Sequence, residues 1–428
     1  MANYDEKYGL YLNCKTYNGS KEMYNYNSKD ANQINTFLEG HAYVTELKYQ
    51  HKVEFIKSQP SINEDKELKL FKLSFTNNRF EINFLFLFLS FYLIRKIINK
   101  LKDKSPYDIN QESKDNELNI DRNIWYIINS DDKYVPNMKE IKNDDYYLEE
   151  NDVIKIGPYK YIVSKIYIKN KALNKKQKFI NLEPNCKEIS KCEFCEEPVI
   201  KLCNCPESYH IYEIAKKYNN NPRFNSNKTV KNYHLNICYC DNCKMYYSLK
   251  YKCKAKDLDN IDTEKINVEN NSDNPNEKIL SLFKYEIPQN KDYMILESLE
   301  EKLDDSNKAR KSVHIIELNE EKDIKIGRAK DNDIILFDDK IISHYHALIK
   351  YDKKNGKLKI INLSKHWGTL ALINPKSKKI IQFTEKPLFF QVNQTFFEAK
   401  IITKNDFIRN KQNNYSQYPD VYKEDKSK

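Results

Sequence analysis

Two groups of residues in this chain have side-chain types and spacings that suit binding chemistry. The first group contains Arg328, directly after Gly327, and Ser343, in a loop at the end of a predicted strand. An arginine presents a rigid fork of donors that suits phosphate, and a serine hydroxyl adds one more hydrogen bond to the same oxygens. The pair predicts a small anion site, and the alternative is a surface arginine beside an ordinary strand-end serine.

The second group is a cluster of cysteines, because nine of the ten cysteines lie between Cys186 and Cys253. They form CxxC and CxC pairs with His210 among them, and paired thiolates at this spacing reach one tetrahedral metal ion. The segment therefore predicts zinc, and disulfides are the competing account. The polar start MANYDEKYGL has no signal-peptide pattern, so we expect a reducing compartment, cytoplasmic or nuclear.

Short half-buried strands are expected to position the anion site. Apolar residues alternate with polar ones around Ile324 and Ile326, and again from Ala347 to Tyr351, whereas helical spacing is poor. The chain has only seven glycines in 428 residues, and three of them lie in this region. Since glycine tolerates positive φ and close backbone approach, these three predict tight connections between strands. The chain is predicted to be mainly β.

The order of residues from Gly327 to His346 resembles the forkhead-associated (FHA) domain. After glycine and arginine come Asp333, an apolar triplet, Ser343 and then the histidine. The resemblance implies a β-sandwich over about 311–403 that binds phosphothreonine peptides through loops at one end. It assigns the phosphate to the arginine and the serine, and it assigns bracing of the serine loop to the histidine.

A second FHA motif corresponds to NLSKHWGT at 362–369, although Trp367 stands where the family has an asparagine. In the same loop, Lys365 and His366 would add positive charge, and Trp367 would either stack on a peptide side chain or pack at the sandwich edge. The expected phosphopeptide-binding residues are Arg328, Ser343, His344, Lys365, His366 and Trp367. The expected loop-supporting residues are Gly327, His346, Gly368 and Thr369.

The order of the cysteines resembles the RING-CH variant of RING fingers, in which two zinc ions bind alternating ligand pairs. The resemblance implies a zinc module over 186–253 with two ions. Its ligands would be Cys192, Cys195, His210 and Glu213 for one ion, and Cys203, Cys205, Cys240 and Cys243 for the other. Because position 213 is glutamate instead of cysteine, either its carboxylate binds zinc, or Cys186 or Cys238 replaces it, or the first site is weak or empty.

RING-type modules dock a ubiquitin-conjugating enzyme on an apolar groove, and Phe194 lies where a groove residue would be. No tryptophan follows within the cysteine segment, so a structural zinc staple is the preferred interpretation. The predicted function is a phosphothreonine-peptide-binding adaptor whose partner is a phosphothreonine-containing protein. The alternative is a RING-CH-type E3 ubiquitin ligase that recruits substrates through its FHA domain. The chain has no GxSxG, HExxH or phosphate-cradling glycine loop, which favours a non-enzyme.

The rest of the chain shows organisation more than chemistry. Residues 1–168 are expected to form a β-rich domain, where DVIKIGPYK echoes DIKIGRAK of the later domain. This region is either a degenerate FHA-like sandwich with Pro158 in place of the phosphate arginine, or the last strands of another β fold. Residues 254–278 have few apolar side chains and predict a flexible linker, and 405–428 predict a disordered tail.

The longest apolar run, Phe84–Ile94, is too short to span a bilayer as a helix. It is expected to be a buried strand or helix, with a membrane anchor or translated non-coding sequence as alternatives. The net charge of +10 comes from 72 basic and 62 acidic residues in short mixed runs. This pattern predicts no specific nucleic-acid partner.

Overall fold

The structure is a computed structural model that describes residues 8–17, 31–38, 42–47, 52–56, 67–76, 79–83, 124–130, 143–169 and, with gaps, 187–409. The gaps in the last range fall at 188, 204, 221–222, 227–228, 238–239, 241, 243–246, 248, 260, 263–265, 271–273, 300–301, 304–308, 337–341, 365–367, 374–385 and 393–394. The predicted linker and module boundaries therefore lie largely within the described part of the chain. The run Phe84–Ile94 lies outside it.

The described residues are mainly strands, which confirms the predicted β class. The strands of the first 170 residues are β1 Tyr8–Tyr17, β2 Ala31–Leu38, β3 Ala42–Leu47, β4 Lys52–Ile56, β5 Glu67–Thr76, β6 Arg79–Asn83, β7 Ile124–Ile127, β8 Tyr146–Leu148, β9 Val153–Ile156 and β10 Tyr159–Tyr167. The cysteine-rich segment and the residues after it contain β11 Ile189–Lys191, β12 Pro198–Ile200, β13 Tyr209–His210, helix α1 Ile211–Asn220, β14 Arg223–Ser226, β15 Val230–Asn236, β16 Lys250–Lys254, a 3₁₀ helix Ala255–Leu258, β17 Asn267–Asn270 and β18 Glu277–Ser281. The remaining strands are β19 Tyr293–Ser298, β20 Lys302–Leu303, β21 Ala309–Glu317, β22 Ile324–Gly327, β23 Ile334–Ile335, β24 Ala347–Asp352, β25 Lys357–Asn362, β26 Thr369–Leu372, β27 Leu388–Val392 and β28 Thr395–Thr403.

The chain forms two compact units, and neither matches a contiguous domain at one end of the sequence. One unit contains Asp145–Ala371 with Lys133–Val135, and the other contains Met1–Asp132, Pro136–Asp144 and Leu372–Lys428. We call them the central unit and the terminal unit. The sequence predicts contiguous domains over 1–168 and 311–403, so the observed division differs from that expectation.

In the central unit, one sheet has the strand order β14-β15-β21-β19-β10-β9-β26, and all of its neighbours are antiparallel. The second sheet has the order β23-β22-β24-β25-β8, in which only β22 and β23 are parallel. Strands β8 to β10 precede the cysteine-rich segment in sequence, yet they pair with strands that follow it. Long-range pairing therefore completes both sheets.

The terminal unit repeats this strand order. One of its sheets runs β2-β1-β28-β27-β7, which corresponds to β21-β19-β10-β9-β26 of the central unit. The other runs β4-β3-β5-β6, in the order of β23-β22-β24-β25, although β3 and β4 are antiparallel whereas β22 and β23 are parallel. In the terminal unit, the seven strands β1 to β7 are consecutive in sequence, and in the central unit the seven corresponding strands lie between β19 and β26, with the short β20 among them. In both units, the remaining hairpin comes from the other half of the chain.

The echo between DVIKIGPYK and DIKIGRAK has no structural counterpart. Strand β9 forms an antiparallel hairpin with β10, and the turn between them contains Gly157, with φ of 60°. By contrast, Gly327 ends β22 and leads into a loop that returns as a parallel strand. Pro158 therefore lies in a hairpin turn, where it does not correspond to the position of Arg328.

The cysteine-rich segment shares one hydrophobic core with the larger sheet of the central unit. Buried residues of this core come from the cysteine segment, such as Leu202 and Ile214, and from sheet strands, such as Ile295 and Val313. Residues 254–278, predicted as a flexible linker, contain the 3₁₀ helix and β17 and reach β18. The difference arises because the few apolar residues of this stretch, Leu258, Ile261 and Ile266, are buried in the same core.

Residues 404–409, at the start of the predicted disordered tail, are helical, and the main-chain N–H of Asp406 donates to the Thr403 hydroxyl, which caps this turn. The residues from 410 onward lie outside the described part. Among the described residues, no helix combines the length and the apolar character needed to cross a membrane.

Candidate phosphate-binding site and metal centres

The loop that carries Arg328 is tied by its main chain to the loop that carries Ser343. The amide of Arg328 donates to the Ser343 carbonyl at 3.1 Å, and the amide of Ala329 donates to the His344 carbonyl at 3.1 Å. Gly327 makes this approach close, because a Cβ atom there would lie 2.9 Å from the Ser343 oxygen and closer still to that of His344. Only glycine fits this position without a shift of the backbone.

Two polar side chains hold the Arg328 loop in shape. Asn332 is buried and donates from Nδ2 to the carbonyls of Ala329 and His344, at 3.0 and 2.7 Å. Asp333 is also buried, and its carboxylate accepts from the Lys325 amide at 3.0 Å and from the Lys322 ammonium at 2.7 Å. These contacts satisfy loop groups that no strand ladder reaches.

The Ser343 hydroxyl is held by a polar cluster at the end of β25. Its Oγ donates to the Ser364 hydroxyl at 3.0 Å, and the Ser364 amide donates to Oδ1 of Asn362 at 3.1 Å. The Thr369 hydroxyl also donates to this Oδ1, at 3.0 Å. Ser364, Asn362 and Thr369 are fully buried, so the cluster fixes the loop that ends in Ser343.

His346 connects the serine loop to the loop before β26. The Ser343 amide donates to its Nδ1 at 3.2 Å, and its Nε2 donates to the Gly368 carbonyl at 3.0 Å. This pattern requires a neutral ring with the proton on Nε2. Burial lowers the pKa of His346 to about 4, although the Gly368 carbonyl acts in the opposite direction. Gly368 has φ of 62°, in the left-handed region.

Around this frame, Arg328 and His344 are exposed and Ser343 is partly exposed. In the described part of the chain, no carboxylate forms an ion pair with the Arg328 guanidinium. Tyr345, 42% exposed, donates its hydroxyl to Asp331 at 2.6 Å, and this bond lowers the pKa of the Asp331 carboxyl. A cationic arginine and a hydroxyl on two tied loops suit a phosphate dianion.

Lys365, His366 and Trp367 lie outside the described residues. Sequence reasoning missed three residues that shape the site, namely Asn332, Asn362 and Ser364. Ser364 and Asn362 fall inside NLSKHWGT, which marked the loop but gave these two side chains no role. Asn332 is one of several polar residues in KDND, where spacing alone does not distinguish the buried one.

The first cysteine group is built on a hairpin turn. Strands β11 and β12 are paired, and their connection holds Cys192 and Cys195, with a turn closed by hydrogen bonds between Cys192 and residues 196–197. Strand β13 pairs with β12 and brings His210 to the same place. The ligand atoms of the three residues lie within 4.8 Å of one another, and Cys195 Sγ lies 3.2 Å from His210 Nε2.

Main-chain donors make the first cysteine of this group acidic. Hydrogen bonds from the amides of Phe194 and Cys195, together with His210, lower the pKa of the Cys192 thiol to about 7. A thiol that ionises near neutral pH is a good metal ligand, since metals bind the thiolate. Phe194, between the two cysteines, is 97% exposed.

The second cysteine group brings together residues from two distant stretches. Cys203 and Cys205 follow β12, and Cys240 follows β15; their sulfurs also lie within 4.8 Å of one another. The Cys205 and Cys240 sulfurs are 3.7 Å apart. A tetrahedral zinc with bonds of about 2.3 Å separates two sulfurs by about 3.8 Å, whereas a disulfide requires about 2.05 Å.

Seven cysteines are described, and all of them are free thiols. The donor sets, two thiols with an imidazole and three thiols, are those that zinc prefers, so the residues fit the ion. Glu213 is placed differently from the expected ligand role, because its carboxylate lies 3.9 Å from Nδ1 of His210, the ring nitrogen opposite the one beside Cys195. Cys243 and the predicted substitutes Cys186 and Cys238 lie outside the described residues.

Comparison with known proteins identifies one part of the chain. Residues 324–381 match the family model of the FHA domain, and this segment includes Arg328, Ser343, His346 and Gly368. No curated protein and no solved structure matches the chain.

Proposed function

We propose that this FHA-containing protein is an adaptor that captures phosphothreonine-containing proteins at the Arg328 and Ser343 loops. FHA domains bind phosphothreonine peptides, so the matched segment supports this role at the level of the family. Arg328 and Ser343 hold the phosphate, His344 contacts the peptide at the rim, and His346 and Gly368 keep the serine loop in position. Lys365, His366 and Trp367 belong to the adjoining loop and contact the peptide.

One observation carries the proposal. Arg328 is exposed and has no ion-pair partner among the described residues, although its own main chain is hydrogen-bonded directly to Ser343. A structural arginine of this kind would be expected to pair with a carboxylate or to pack its stem. An arginine whose main chain is held rigidly and whose guanidinium is exposed to solvent is suited to bind an external anion.

The test is capture from peptide libraries that contain phosphorylated or unphosphorylated threonine, with the full chain as bait. We expect enrichment of the phosphorylated library, and we expect Arg328→Ala to abolish it while the melting temperature stays unchanged. Arg409→Ala, which removes an exposed arginine of the terminal unit, is the matched control and should capture normally. Equal capture of both libraries by the wild-type chain would contradict the proposal.

The cysteine groups are proposed to hold two zinc ions as structural staples. Cys192, Cys195 and His210 would hold one ion, and Cys203, Cys205, Cys240 and Cys243 the other. Zinc would supply cross-links between distant chain segments, which is how structural zinc sites stabilise small modules. No covalent chemistry is assigned to either site.

A ubiquitin-ligase role is the second candidate, and Phe194 is the observation that favours it. A phenylalanine that is 97% exposed beside a cysteine pair is suited to docking a protein partner such as a ubiquitin-conjugating enzyme. An autoubiquitylation assay with a panel of conjugating enzymes tests this role. Ligase activity that is lost in Phe194→Ala but kept in Tyr147→Ala, a change at another exposed aromatic residue of the same unit, would support this role. Inactivity of the wild-type chain with every conjugating enzyme of the panel would contradict it.

A further inference from the structure

Strand β15 belongs to the cysteine-rich segment in sequence and to the phosphate-site sandwich in structure. Residues Val230 to Asn236 pair antiparallel with Ile316 to Arg310 of β21, so the strand extends the larger sheet of the central unit. Four residues after its end, the chain reaches Cys240 of the second cysteine group. The strand is therefore a covalent and hydrogen-bonded connection between the two candidate sites.

Asn232, in the first half of this strand, makes two hydrogen bonds of different kinds. Its Oδ1 accepts from Nδ1 of His314 at 2.7 Å, directly across the ladder. Its Nδ2 donates to the main-chain carbonyl of Asp333 at 3.1 Å. Asn232 and His314 are 8% and 1% exposed, so water does not replace either bond easily.

The hydrogen bond from His314 fixes which end of the Asn232 side-chain amide faces Asp333, in the loop that begins at Arg328. Because Oδ1 is occupied by His314, the amide nitrogen is directed at Asp333. Only a group that accepts on one side and donates on the other satisfies both neighbours. An aspartate at this position keeps the shape and the bond from His314 but places an oxygen against the Asp333 carbonyl.

The Asp333 end of the loop is also held through a second residue just before β15. The ammonium group of Lys322 lies 2.7 Å from the Thr229 hydroxyl and 2.7 Å from Oδ1 of Asp333. Asn232 thus contacts the main chain of Asp333 directly, and Thr229 is connected to its side chain through Lys322. The other end of the loop is Arg328, which is tied to Ser343.

We propose that Asn232 is a positioning residue for phosphopeptide binding, which acts by fixing the end of the loop that presents Arg328. This inference rests on the proposed phosphothreonine-binding function. A loop free to move at Asp333 must be ordered again when the phosphate binds, and this ordering weakens the affinity. The cysteine-rich segment then contributes to the peptide site indirectly, through β15 and the loop that presents Arg328.

The test compares three full-length variants in phosphothreonine-peptide affinity and in amide hydrogen exchange. Asn232→Asp removes the donor, and Asn232→Ala removes both bonds. Lys231→Gln is the matched control, because it changes the net charge as Asn232→Asp does, but its side chain pairs with Glu286 instead of the loop.

We expect both Asn232 variants to bind the phosphopeptide about tenfold more weakly, and amides 329–333 to exchange faster. Exchange in the turn 352–356 serves as the internal reference and should not change. Lys231→Gln should leave loop exchange unchanged and lower the affinity by less than about twofold. Affinity within twofold of wild type, or equal acceleration in the loop and in the reference turn, would overturn the inference.

The two proposals fail in different ways. If the wild-type chain captures no phosphopeptide, the proposed function fails, and the exchange measurement alone still decides whether Asn232 fixes the loop. If the wild-type chain binds and Asn232→Asp binds equally well, only the positioning role fails.

Discussion

The carboxylate of Glu213 lies beside Nδ1 of His210, whereas the other ring nitrogen, Nε2, faces the sulfur of Cys195. Glu213 lies 3.9 Å from Nδ1, whereas Nε2 lies 3.2 Å from the Cys195 sulfur. A carboxylate on the far nitrogen orients a ligating histidine and raises its basicity without binding the metal itself. We therefore propose that the glutamate at the position of the expected cysteine orients His210 and does not bind the metal.

Substitution at Glu213 should consequently keep the zinc. We expect Glu213→Gln to retain the full zinc content and to weaken the affinity of the first site by about 10-fold or less. Competition with a chromophoric chelator measures this affinity. Loss of one zinc per chain in this variant would show that Glu213 is a ligand after all.

Removal of a ligand in the second cysteine group should have a different result. Cys240 is buried and its sulfur lies 3.7 Å from that of Cys205, so Cys240→Ser should reduce bound zinc by about one ion per chain. It should also lower the melting temperature, because the group cross-links segments that are distant in sequence. Elemental analysis provides the measurement, and Cys14→Ser, at a buried thiol of the terminal unit, should leave the zinc content unchanged.

The buried His346 predicts that stability decreases in mild acid. Its folded-state pKa of about 4 lies below the unfolded value of about 6.5, so the unfolded chain binds the proton first and stability is lost as the pH falls between these values. Between pH 6.5 and 5, this group alone should remove about 1.5 kcal/mol of the free energy of unfolding. As the pH falls from 6.5 to 5, the denaturant midpoint should decrease less for His346→Gln than for wild type. The variant His344→Gln, at an exposed histidine, is the control and should behave like wild type.

Gly327 should tolerate no side chain. A Cβ atom would meet the carbonyls of Ser343 and His344, so Gly327→Ala should separate the two loops. We expect a cost of about 1–3 kcal/mol in stability and a large loss of phosphopeptide affinity. Calorimetry and a binding titration measure the two effects. Gly356→Asn, at a turn with φ of 56° that asparagine accommodates, should retain the affinity.

The pairing of β8 to β10 with later strands predicts which fragments fold. The fragment 145–371 contains nearly all of the central unit, and it should give a cooperative unfolding transition and bind phosphothreonine peptides. The fragment 290–403 contains β27 and β28, which belong to the terminal unit, but it lacks β8 to β10, and it should not fold. Circular dichroism melts distinguish the two fragments, and a cooperative transition in 290–403 would show that β8 to β10 are not needed for folding.

Much of the candidate site could be predicted because its chemistry is local in sequence. Arg328 follows Gly327 directly, and the CxxC pair occupies a single turn, so residue type and spacing were enough to identify them. The supporting residues could not be identified in this way. Asn332 and Asn232 resemble many other asparagines in the chain, and only burial and their partners distinguish them.

The β class and the two groups of candidate binding residues could be identified from the amino-acid order alone, since alternation and short-range spacing act over a few residues. Which strands complete which sheet emerges from the three-dimensional pairing, because main-chain ladders form between any two strands with suitable edges and do not depend on order along the chain. In this way Val153–Ile156 joined β26 instead of the terminal unit, and Asn232 of the cysteine segment came to lie against the loop of Arg328.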